Sequence, residues 1–213
     1  MTDVAYEDFL TDVSPFAPSC PEVVAINAVR AACIEFCNIS HWLIYEHDPV
    51  TLLAGIGTYD LELPTGLQVL RIIEARVSGH TITPKSAEQL NQRMGSNWRL
   101  AEGDPTSFTQ LNPREVIVAP LPQARAVSAL TMQLAVTPTR DSDSVDQSLW
   151  DRWAEIIAKG ALARILRLPG HQFTDDAKAM FYAREFRAGA NEARVERERG
   201  LTVAPLQVQM RSW

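Results

Sequence analysis

Long apolar runs are missing from this sequence: no stretch approaches the roughly 20 residues that a membrane helix needs, so no membrane partner is expected. Basic residues are missing from the first ten positions, where Asp3, Glu7 and Asp8 stand instead, the reverse of a secretory signal. Synthesis and retention in the cytoplasm follow as the expectation, unless the chain is packaged into something larger. Cysteine is scarce: Cys20, Cys33 and Cys37 are odd in number and offer no disulfide framework, which points to a reducing compartment. Glycine, with 10 residues, is outnumbered by 13 prolines, which argues against a flexible low-complexity chain.

Sequence motifs for chemistry are missing too. There is no P-loop and no Gly-x-Ser-x-Gly elbow. Gly55-Ile56-Gly57 lacks the third glycine and the following helix of a dinucleotide loop, and reads as a turn. Cys33, Cys37 and His41 are residue types that bind zinc, but on one helix their ends lie about 12 Å apart along the axis. Zinc ligands must converge at about 2.0–2.3 Å, so the two cysteines are expected in the core. Asp141-Ser142-Asp143-Ser144-Val145-Asp146 lacks the Gly and Glu of a calcium loop and reads as a polar loop, with Ser144 or Asp146 capping the next helix. His41, His47, His80 and His171 stand in unrelated local contexts without a nucleophile partner. No cofactor, metal or catalytic residue is expected. Catalytic groups can converge from distant positions, so a small hydrolase stays open as an alternative.

What is present is a chain of 213 residues, long enough for one sizeable core or for a core with an inserted module. Its net charge of −6 is unevenly spread. Residues 1–62 hold 10 acidic and 1 basic side chains, residues 63–146 hold 8 of each, and residues 147–213 hold 8 acidic and 11 basic. Either these are solvated faces, or the acidic end of one subunit meets the basic end of another. No part is basic enough for a dedicated DNA-binding domain.

The rhythm of apolar residues divides the chain. A short helix over Tyr6 to Asp12 is expected to stop before Ser14-Pro15. Ser19-Cys20-Pro21-Glu22 has the form of a capping box before a helix to Ser40, with Ile26, Val29, Cys33, Phe36 and Cys37 on one face. Alternation replaces that spacing at Tyr59, Leu61 and Leu63, followed by strands over Leu67 to Val77 and Thr81 to Thr83, a short helix from Ser86 to Met94, and strands over Arg114 to Ala119 and Ala129 to Thr137. Helical spacing returns at Gln147, with Trp150, Trp153, Ile157, Ala161, Ile165 and Leu168 in one stripe ended by Pro169-Gly170. Thr174-Asp175-Asp176 caps a last helix with Ala179, Ala183, Phe186, Ala190 and Ala193 inward and Gly200 at its end. The fold class expected is α+β in a single domain: a helical bundle built from the N- and C-terminal helices (about 1–42 and 147–200) with an inserted small antiparallel β module (about 43–140) and a C-terminal arm at 201–213.

Two groups of residues read as candidate interface. Arg184, Arg187 and Arg194, with Arg197 and Arg199, load the last helix with positive charge among Glu185, Glu192, Glu196 and Glu198. They are either a solvated helix with i,i+3 and i,i+4 pairs or a face that docks on an acidic surface. In the arm, Leu206, Val208 and Met210 alternate with Gln207, Gln209 and Arg211 before Trp213, which suits an added strand or an extended peptide in a neighbour's groove. A strand folded back on the chain's own β module is the alternative.

The order of these elements and several local phrases carry a resemblance. They are Phe36-Cys37 with Ser40-His41-Trp42, Tyr59 to Pro64, Arg71-Ile72-Ile73 with Gly79, Pro84 with Trp98 beyond it, Val116 to Pro122, and a strand ending at Pro138. The C-terminal pair follows: Gly160 to Leu166, Pro169, then Asp175 through Phe186 and Ala193. Over about residues 20–200 the chain resembles the head-to-tail adaptor proteins of tailed phages, the group that includes tail tubular protein A. The resemblance implies a structural virion protein made in the host cytoplasm, not an enzyme. It implies a ring of twelve copies beneath the portal protein, joined below to tail or nozzle proteins, at the neck of the virion. Double-stranded DNA would pass through the channel without sequence-specific binding, which suits a mostly acidic chain. A monomeric protein-binding module using the β insert remains the rival reading.

Overall fold

The computed structural model describes residues 3–200. In chain order the elements are β1 (Asp3–Ala5), α1 (Leu10–Val13), α2 (Glu22–Ser40), β2 (Ile44–Leu52), β3 (Thr58–Asp60), β4 (Leu67–Val77), β5 (His80–Thr81), β6 (Thr83–Pro84), α3 (Ala87–Met94), β7 (Ser107–Asn112), β8 (Glu115–Ala119), β9 (Ala126–Pro138), β10 (Ser144–Asp146), α4 (Gln147–Ile165) and α5 (Asp176–Arg199). They form two compact units: one from the described residues up to Trp42 together with those from Arg140 onward, the other from Leu43–Thr139. The candidate arm residues Leu206, Val208, Met210 and Trp213 lie outside the described residues.

In the helical unit α2, α4 and α5 pack on one another. On α4, Trp153, Ile157, Ala161 and Ile165 are buried at the spacing expected of one helix face, while Trp150 is half-buried and meets Phe9 edge-on at 4.9 Å. Asp146 caps α4 by accepting from the Ser148 amide at 2.9 Å. Asp175 caps α5 by accepting from the Lys178 amide at 3.0 Å, which also holds its carboxyl below the usual carboxylate range. Gly160 on α4 sets the closest approach: a Cβ there would stand 2.6 Å from the Phe186 ring and 3.1 Å from the Ala32 methyl. Ala25, Ala28 and Ala32 extend the buried face of α2 beyond Val29, Cys33, Phe36 and Cys37. Small residues let three helices close on one another, and burial of Phe186 is worth about 1.5–3 kcal/mol.

Several local expectations need correction. Ser19 does not cap α2. Residues 17–20 turn back on themselves, with the Cys20 amide donating to the Ala17 carbonyl, so Pro21 becomes the capping position and its carbonyl receives the Val24 and Ala25 amides. By length and composition α2 is apolar enough to cross a membrane, against the expectation that no stretch would be; here its buried face is the core of the unit. The acidic stretch from Asp141 is only partly loop, because Ser144–Asp146 pairs antiparallel with Asp3–Ala5. Beside that pair Tyr6 is buried and shares a 2.7 Å hydrogen bond with Ser142.

The β unit holds two four-stranded sheets, ordered β2-β9-β4-β5 and β3-β8-β7-β6. Pairing is antiparallel except between β6 and β7, which run parallel. Val69, Ile72 and Ala75 of β4 and Leu130, Met132, Leu134 and Val136 of β9 are buried in the first sheet; Tyr59, Phe108, Val116 and Val118 are buried in the second. Tyr59, Leu61 and Leu63 turn inward, alternating with exposed Asp60 and Glu62, although the strand itself ends at Asp60. His47 of β2 joins the segment after β3 to the first sheet. Its Nε2 accepts from the Glu62 amide at 3.1 Å, and its Nδ1 lies 2.7 Å from the Asp48 carbonyl oxygen. Helix α3 opens with a reciprocal capping box between Ser86 and Gln89, and its Leu90 packs with Trp98 and Ala119.

Candidate assembly interface

The last helix carries charges on two sides that are used differently. Its acidic residues reach inward to α4: Glu196 pairs with Arg152, and Glu185 with Lys159 at 3.4 Å. Arg152 also lies over the Trp42 ring, 5.2 Å from its centre. The arginines point the other way. Arg184, Arg187 and Arg194 are all exposed. Arg194 pairs with Glu198 at 3.0 Å, one turn on, as an ordinary solvated helix pair. Arg184 and Arg187 make no ion pair with any described residue, so the outer face of α5 is left with unmatched positive charge.

Apolar side chains flank those arginines. Met180 and Phe181 are each 58% exposed and Val195 is 43% exposed on α5, and Phe16, in the 3-10 turn Ser14–Phe16, is 59% exposed. Phe16 and Phe181 both meet the Tyr182 ring, at 6.3 and 5.6 Å. Aromatic residues, methionine and arginine are the side chains enriched at protein interfaces, and here they stand exposed on one helix and the turn beside it. Sequence reading found the arginines and missed Phe16, Met180 and Phe181. A signal was there: Met180 and Phe181 fall off the inward stripe of Ala179, Ala183 and Phe186, and an apolar pair off the stripe marks a second face.

A polar groove of about 500 Å3 opens elsewhere on the helical unit, lined by Arg30, Arg140 and Arg164 with Glu35, Asn27 and Asn38. Arg164 pairs with Glu35 and donates to the Gly160 carbonyl at 2.9 Å; Arg30 donates to the Asn27 side chain at 3.0 Å and lies over the Tyr6 ring. Arg30 also lies 3.9 Å from the Asp143 carboxylate, so two of the three guanidinium groups are paired within the unit. Cys33 and Cys37 are fully buried, and burial pushes the Cys33 thiol well up. Among the described residues no three His, Cys, Asp or Glu side chains converge to hold a metal ion.

Comparison with known proteins adds the family. The family model of the SU10 adaptor protein matches residues 5–209, nearly the whole chain. The chain belongs to the SU10 adaptor protein family. Membership supports a structural role as a phage adaptor, a component of the virion at the junction of head and tail, and the family is not one of enzymes. No curated protein matches the adaptor.

Proposed function

We propose that this adaptor forms a homo-oligomeric ring of twelve copies beneath the portal protein, in the manner of tail tubular protein A. The ring joins the head to tail or nozzle proteins and leaves a channel for double-stranded DNA. The match to the SU10 adaptor protein family over residues 5–209 carries the reading. The outer face of α5 supports it, because Arg184, Arg187, Met180 and Phe181 offer one continuous contact of mixed charge and apolar area. The net charge of −6 suits a conduit that does not grip a polyanion. Both units act as one adaptor domain, with the arm at 201–213 as a further docking element carrying Leu206, Val208, Met210 and Trp213.

The test is charge reversal on the outer face. A chain with Arg184→Glu, Arg187→Glu and Arg194→Glu is expected to keep its melting temperature and lose association with neighbours and portal in co-sedimentation. Unchanged association would remove α5 from the interface. A monomeric binding module using the β unit would instead bind its partner one to one and would be indifferent to these three changes.

A further inference from the structure

Besides the outer flanks of β2 and β3, the β unit leaves stretches of β4 and β7 without a strand partner among the described residues. β4 pairs with β9 along its whole length on one flank, but on the other it meets β5 only at Arg76 and Val77. From Leu67 to Ile73 that flank has no strand partner among the described residues. β7 likewise meets β6 only at Ser107 and Phe108, leaving Thr109 to Asn112 open on that side. Two grooves follow these edges. One, of about 840 Å3, is lined by Leu67, Gln68 and Val69 in succession; the other, of about 320 Å3, by Arg71 and Ile72 of β4, Phe108 to Gln110 of β7, and Pro84, Lys85, Ser86 and Gln89 at the β6–α3 junction. Successive residues of a strand point to opposite faces, so a groove lined by three in a row runs past the strand's edge. The grooves therefore follow one another along the unpaired flank of β4, with β7 as the far wall of the second.

The chemistry of this slot is that of a strand acceptor. Open edges of this length invite a further strand, and proteins cover them. Seven residues of β4 offer about 23 Å of backbone. Gln110, in the wall, has a buried side-chain amide with no acceptor among the described residues. The wider end is apolar at Leu61 and Leu63 and rimmed by Asp60, Glu62 and Glu115 against Arg114, three carboxylates to one guanidinium. A fitting occupant is extended and apolar on alternate residues, with its positive charge at the wider, acidic end and none beside Arg71 and Lys85 at the other.

We infer that the slot takes residues 201–213 of a second copy, added as a strand along the Leu67–Ile73 edge. That stretch has Leu206, Val208 and Met210 on alternate positions, Arg211 as its charged side chain, and no carboxylate side chain. Main-chain hydrogen bonds supply the affinity of such an addition, and alternate side chains with the Arg211 charge set its register. The inference rests on the assembly reading, since the strand comes from a neighbour.

Disulfide trapping between full-length chains tests it, with Cys20→Ser throughout to remove the partly exposed thiol. A Gln68→Cys chain mixed with a Val208→Cys chain is expected to give a covalent two-chain species under mild oxidation. The exposed control Gln123→Cys is expected to give none with Val208→Cys, and Asp60→Lys with Glu62→Lys in the acceptor chain is expected to lower the yield. Equal trapping at Gln68 and Gln123, or none at either, overturns the slot. A double variant, Gln68→Cys with Val208→Cys, that closes on itself at high dilution also overturns it, since the strand would then be the chain's own. Co-sedimentation of the unmodified chain with portal separates the two ideas: rings without trapping sink the slot alone, and trapping without rings sinks the ring alone.

Discussion

Compared glycine by glycine, the two units both use it for close contact and for turns. In the helical unit it marks contact: a Cβ at Gly160 would strike Phe186, and one at Gly189 would come within 2.7 Å of Ile156. In the β unit Gly55 and Gly79 sit in turns at φ +73° and +82° with nothing near, while a Cβ at Gly57 would stand 2.6 Å from the Leu121 side chain; Gly170 of the helical unit is likewise an open turn at φ +78°. The helices close tightly at Gly160 and Gly189 and put arginines and aromatics outside, with a groove of about 500 Å3 beside Arg30, Arg140 and Arg164. The sheets keep edges and grooves. What the helical unit leaves exposed is the outer face of α5, and what the β unit leaves unpaired is the flank of β4 from Leu67 to Ile73.

The contrast can be broken most severely at Trp153, which packs between Phe36 at 5.5 Å and Trp42 at 5.3 Å. Trp153→Ala is expected to cost about 3–5 kcal/mol in urea denaturation followed by helical circular dichroism. A loss below about 1 kcal/mol would show that the indole is not a core member. Gly160→Ala comes next. Alanine is the better helix former by about 1 kcal/mol, yet the Phe186 ring leaves it no room, and a net loss of about 1–3 kcal/mol is expected. A stabilised variant would mean that α4 and α5 can part at little cost.

In the β unit, His47→Ala removes the acceptor of the Glu62 amide, and about 1–3 kcal/mol is expected to be lost from the unfolding of that unit. Exchange of the Glu62 amide hydrogen should quicken; unchanged exchange would mean that the amide has another partner. The smallest effect is expected at Asp175. Its carboxyl titrates below its unfolded value, so its contribution is present above the unfolded range and fades as pH falls through the folded one. The melting temperatures of the wild type and Asp175→Ala should differ slightly near neutrality and converge in acid. A gap that widened in acid would contradict the cap.

The helices were the legible part. Trp153, Ile157, Ala161 and Ile165 repeat at helical spacing, and Asp175 precedes its helix with the right side chain, so periodicity and capping chemistry sufficed. β4 was legible over Leu67–Val77 because its aliphatic run is long. β2 was missed because Asp48-Pro49 interrupts it and its pairing with β9 shifts register after His47. β7 was missed because its buried positions include Ser107 and Thr109, polar residues that hide the alternation. β1 and β10 are three residues each, too short for any pattern. Ser19 misled because a good capping sequence was overruled by the turn at Ala17–Cys20. At the candidate site, charge was visible in Arg184, Arg187 and Arg194, while the open edge of β4 depends on where β5 stops, which no local pattern states.

The most direct measurement is the mass of the native assembly: light scattering or native mass spectrometry of the full chain, alone and with portal protein. The account expects a monomer or weak oligomer alone, in keeping with the lack of a coiled-coil seam, and twelve copies on each portal ring. Single copies bound one to one, or no association with portal at any salt concentration, would contradict it.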